Sequence, residues 1–239
     1  LLHEELAKAY ANYLDENDWR ISENLPIEGG DLSKVEMKYW DRESFKTRIN
    51  QHYGEALKPV EALKKAKTED FLVLFDNLSK EATEHVEYEA SLFEFMFHRV
   101  ANYYQGEANA DQAEGDTEKW WLPAKEFVKA DLGTSDNPLV KCLKIYQELI
   151  GFNLKNNNED VLIYNDFKRF GFVNSILEKD EQYQSAMENL KAQHENNPLS
   201  AEITSLIARS LINQYESNSS DSTYFDNFKK AKAMCEAAI

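Results

Sequence analysis

Apolar side chains recur along this chain at spacings of three and four, the period of an amphipathic helix. Leu2, Leu6, Ala9, Tyr10, Tyr13 and Leu14 open the pattern. "ENLPIEGGDLSKVEMKYW" interrupts it with Pro26, Gly29 and Gly30, which predicts a loop with room for a short extended piece. The helical period resumes after Asp41, a candidate N-cap, with Phe45, Ile49, Tyr53, Ala56 and Leu57 on one face. Pro59 predicts an end or kink near Leu57. A short helix is expected around "TEDFLVLFDNL", with Thr68 as its cap.

"SLFEFMFHRVANYYQ", residues 91 to 105, breaks the amphipathic rule by being apolar on nearly every side. It is too short to cross a bilayer, which needs about 20 apolar residues. The remaining reading is an inner helix packed between neighbours. The stretch "GEANADQAEGDTEK" follows, polar and acidic, and predicts a mobile loop or an internal boundary. "WWLPAKEFVKADLG" reads as a short helix ended by glycine. Beyond Asn137 come five amphipathic segments separated by short breaks such as "NNN", "EKD" and "NN".

Three of those segments superpose. "VKCLKIYQEL", "YQSAMENLKA" and "FKKAKAMCEA" put Cys142, Ala186 and Ala231 in one small-residue position, 44 and 45 residues apart. One further helix lies between each pair. A repeated helix pair with a small residue at the close approach is the pattern of a helical array. The expected fold is therefore all-α: antiparallel helix pairs forming an α-solenoid, tetratricopeptide-like in its second half. Residues 1–119 form an N-terminal helical part and 120–239 carry the repeats, or the two run on as one domain.

Composition narrows the partners. With 27 basic and 43 acidic side chains the formal charge is −16, which repels nucleic acid and anionic membrane surfaces. Only 8 Gly and 5 Pro fit long helices with few turns. Cys142 and Cys235 stand apart in amphipathic segments and read as small apolar residues, not as a disulfide or metal pair. The chain opens without Met or a leader pattern and closes in helical register, so it reads as a segment of something longer.

No GxSxG, HExxH, CxxC or Gly-rich phosphate loop occurs, and no catalytic residue or cofactor is assigned. Glu81 with His85, and Glu94 with His98, share helix faces at i, i+4, a spacing that suits zinc or iron. A solvated acidic face explains the same residues, and the spacing does not match di-iron bundles. Trp19, Trp40, Trp120 and Trp121 are candidates for a binding surface. The adjacent Trp120 and Trp121 cannot both face one core. "NLS" at Asn77 and "NSS" at Asn218 match a glycosylation sequon.

Several stretches taken together carry a family likeness: "LLHEELAKAYANYLDENDWRI", "YWDRESFKTRINQHYGEAL", "SLFEFMFHRVANYY", "WWLPAKEFV" and "LKIYQELIGFN". They resemble the helical N-terminal region of large bacterial alpha-2-macroglobulin-like exported proteins. Leu92 to Ala101 stand where that family has a Leu-Tyr-Asp-Phe-Leu-x-His-Arg-Ala-Leu stretch. The resemblance implies a non-catalytic scaffold in the periplasm or on the outer-membrane surface. Its partners would be other domains of its own chain or another envelope protein. A thioester Cys-x-Glu-Gln motif is not present, since Cys142 is followed by Leu-Lys-Ile. The alternative is a glycan-binding outer-membrane lipoprotein on similar helices, its tryptophans clustered at the surface around a polar pocket.

Overall fold

The structure, a computed structural model, describes residues 1–27, 31–74, 88–218 and 221–237. Among them are eleven α-helices and no strand, so the all-α class holds. The described residues fall into two compact units, Leu1–Val100 and Ala101–Ile239. The first holds α1 (Leu2–Glu16), α2 (Asp18–Ile21), α3 (Arg42–Leu57) and α4 (Val60–Lys65). The change of unit falls inside α5 (Leu92–Glu107). The second unit continues with α6 (Ala124–Phe127), α7 (Pro138–Asn156), α8 (Glu159–Leu177), α9 (Asp180–Gln193), α10 (Leu199–Ser217) and α11 (Phe225–Ala237).

In the first unit α1 packs along α3. Asp41 caps α3 as expected, its carboxylate accepting the Ser44 N–H at 2.9 Å, and the helix stops at Leu57 before Pro59. Its buried face is Ser44, Phe45, Ile49, Tyr53 and Ala56. α1 departs from expectation. Leu2 and Leu6 are exposed, and the buried positions are Glu4, Ala7 and Leu14. The segment 31–40 forms two short 3-10 turns and no extended strand. An isolated antiparallel bridge joins Lys67 to Ser91, and Thr68 points its hydroxyl to the Glu89 carbonyl at 2.5 Å.

α5 is core on almost every side: Leu92, Phe93, Phe95, Met96, Phe97, Val100, Ala101 and Tyr104 are all buried. Its entry is a capping box. Ser91 accepts the Glu94 N–H at 3.3 Å, while Glu94 accepts the Ser91 N–H at 3.0 Å. Two orphan amide groups are thereby satisfied in an apolar setting, where leaving either unpaired would cost about 1–3 kcal/mol.

In the second unit each of α7 to α11 packs on the next helix in sequence, and α8 also meets α10. Cys142, Ala186 and Ala231 are all buried, one each on α7, α9 and α11. The loop expected to be mobile is anchored. Gln112 accepts the Leu139 N–H on its side chain at 3.2 Å and the Asn137 amide on its carbonyl at 3.0 Å. Asn137 also caps α7, accepting the Val140 N–H at 2.8 Å. Among the described residues no helix is long and apolar enough to cross a membrane.

Candidate functional site

Within the second unit, α8, α9 and α10 enclose a groove of about 310 Å³. Its walls carry many hydroxyl and amide groups alongside apolar surface. α8 contributes Asn174 and Ser175, α9 Asp180 and Tyr183, and α10 Arg209, Ser210, Asn213 and Gln214. α10 supplies both its buried stripe, Ile203, Ile207, Ala208 and Leu211, and the polar wall. The wall residues Ser210, Asn213, Gln214 and Ser217 recur at spacings of three and four on the neighbouring face.

Two groups in the groove are unspent. Arg209 is exposed and makes no ion pair or hydrogen bond with any described residue. Asn174 gives its amide N–H to Asp180 at 3.0 Å, but its side-chain oxygen is buried with no partner among the described residues. Burial pushes the Tyr183 phenol above its ordinary range against the pull of the Arg209 charge, so it is a neutral donor at physiological pH. The groove therefore offers one cation, one anion and several hydroxyl or amide groups.

A second polar cluster lies in the core of the same unit. Arg169 is fully buried and pairs with Asp166 at 2.5 Å. It also donates to the carbonyls of Trp120 at 2.5 Å and Leu122 at 2.8 Å. Its guanidinium lies between the rings of Phe127 and Phe170, 3.9 Å and 4.1 Å from their centroids. Burial lowers the Arg169 pKa and raises that of Asp166, each opposed by the other's charge. This cluster is buried, with Asp166 and Phe170 also lining a small pocket beside Trp121, and acts as an anchor for the 120–122 turn. "NDFKRF" carries the signal, an acid and an arginine three apart among aromatics.

The tryptophans are dispersed. Trp40 is buried, stacked on Tyr10 at 5.7 Å, with its indole N–H given to the Val35 carbonyl at 2.9 Å. Trp120 is buried and Trp121 half-buried, the latter stacked on Phe170 at 6.2 Å. Only Trp19 stands out, 72% exposed, and its unit's other tryptophan is interior. Trp40 and Trp120 thus have no ring face to offer a ligand, because packing in the core occupies both.

Glu94 and His98 do not act together either. Glu94 gives one oxygen, Oε2, to the capping box, and His98 Nδ1 lies 2.7 Å from Glu89. Glu81, His85 and Asn77 lie outside the described residues. Among those described, no three His, Cys, Asp or Glu side chains converge as a metal cluster. Cys142 is buried, its thiol pushed well up by desolvation, and Cys235 is exposed. Asn218 closes α10, its amide turned back to the Gln214 carbonyl at 2.9 Å. No protein-family model, curated protein or solved structure matches the chain.

Proposed function

We propose that this chain acts by binding and not by catalysis, as a helical-repeat interaction module whose working surface is the groove between α8, α9 and α10. Three features support the reading: sequential packing of α7 to α11, small buried residues at a 44- and 45-residue spacing, and a polar groove. In this reading the second unit is a short superhelix of helix pairs, tetratricopeptide-like in plan. The exposed, unpaired Arg209 in a groove of hydroxyl and amide groups carries the proposal. An extended peptide suits these walls, since each residue brings one carbonyl acceptor for Arg209 and one N–H donor for the hydroxyl and amide oxygens.

The stretches that resemble macroglobulin-like proteins favour an exported setting, with other domains of such a protein as the first partners to try. The groove itself is tested by selecting peptides from a random displayed library on the immobilised chain. Selected peptides should bind the native protein and lose at least about tenfold on Arg209→Ala or Asn213→Ala, a loss of about 1.4 kcal/mol. Equal binding to the native protein and to both variants would sink the groove as the working surface.

A further inference from the structure

The first unit holds a feature that the groove reading does not use. His3 on α1 and His52 on α3 face each other with their Nδ1 atoms 2.8 Å apart and their ring centroids 5.1 Å apart. We propose that these two imidazoles form a chelate across α1 and α3 for a divalent transition cation of the zinc type, completed by water.

Only one hydrogen fits between two nitrogens at 2.8 Å, so at least one Nδ1 already presents a lone pair to the other. When that hydrogen leaves, both lone pairs converge on one point. Zinc holds imidazole nitrogen at about 2.0–2.1 Å in tetrahedral geometry, which sets two such nitrogens roughly 3.3 Å apart. The rings must therefore open by about half an ångström. His3 is exposed and His52 half-buried, so side-chain rotation supplies that movement without displacing a helix.

The surroundings hold one of the two rings in place. Tyr10 stacks on the His52 ring at 5.7 Å and 17°, fixing its plane. Glu55, three residues on from His52, feels the charge of both histidines and is paired to Lys58 at 2.5 Å. A chain of net charge −16 raises the local concentration of cations.

The test is a calorimetric titration of the whole chain with zinc chloride at pH 7.5 in a non-coordinating buffer. Zinc is the probe because, unlike copper(II), it does not displace backbone amide protons, and so reports on side chains alone. One zinc should bind per chain, with affinity falling at least about tenfold in both His3→Gln and His52→Gln. The control, His194→Gln, removes a histidine that bonds Glu159 at 2.6 Å and should bind as the native protein does. Circular dichroism of each variant shows whether its helices remain. No zinc uptake would overturn the proposal. So would binding weakened by only one of the two substitutions, or by neither, since the cation would then sit on other ligands.

Discussion

Glu4 is the most exposed to test of the charged groups in the first unit, because it is the one whose burial works against it. Its side chain is 1% exposed. One oxygen meets Arg99 Nε at 2.6 Å, and the other is buried with no partner among the described residues. Desolvation raises its pKa from 4.5 to about 7, against the lowering effect of Arg99 and with help from the neighbouring Glu5. The folded value lies above the unfolded one, so the contribution to stability is fully present below about pH 4.5 and is lost as pH rises through 7. At 1.36 kcal/mol per pH unit the ionised group costs about 3 kcal/mol by pH 8 or above. Glu4→Gln keeps the shape and a carbonyl for Arg99 but cannot ionise. Urea unfolding followed by circular dichroism at pH 5, 6.5 and 8, at constant ionic strength, compares variant with native protein. Near pH 5 the two should differ by about 1 kcal/mol or less, the scale of one neutral hydrogen bond. By pH 8 the variant should have gained about 2–3 kcal/mol relative to the native chain. A difference that stays constant with pH refutes the raised pKa. A native chain that gains on the variant with rising pH would mean that the Arg99 pair outweighs desolvation.

Arg169→Lys should destabilise the second unit by about 3–5 kcal/mol in chemical denaturation, because lysine cannot meet Asp166 and both the Trp120 and Leu122 carbonyls within the Phe127–Phe170 sandwich. A loss under about 1 kcal/mol would show that the cluster contributes little. Asn137→Ala removes the α7 cap and the tie to Gln112, and should cost about 1–2 kcal/mol by the same assay. It should also hasten proteolytic cleavage in 106–119, and unchanged cleavage would detach the loop from the cap. With a thiol reagent under native conditions, Cys235 should react at once and Cys142 only on unfolding, as burial and a raised pKa dictate. Two fast thiols would contradict that placement.

Local rules could be read wherever local chemistry decides. Asp41, Pro59 and the α3 face needed only spacing and capping preferences, and α5 declared itself by being too apolar to be solvated. The small residues at 142, 186 and 231 marked buried positions from repetition alone. α1 was legible as a helix but not in its facing, since Arg99, far along the chain, draws Glu4 inward and leaves Leu2 outside. Ser91 and Glu94 were visible as letters, yet the i, i+4 partner His98 pulled attention from the capping box at i, i+3. The groove could not be read at all. Its walls come from three helices, and polar residues such as Asn213 look like any solvated face until a neighbouring helix stands opposite.

The Arg169 anchor also sets an order of events during synthesis. The turn it holds lies 49 residues earlier at Trp120 and 47 earlier at Leu122. At about 5–20 residues per second the turn leaves the ribosome several seconds before its guanidinium partner is made. In that interval Trp120, Trp121 and Phe127 have no cation or aromatic ring from α8 to lie against. A chaperone that recognises short aromatic segments would find one on this nascent chain there, and would lose it once α8 emerges and closes over the turn.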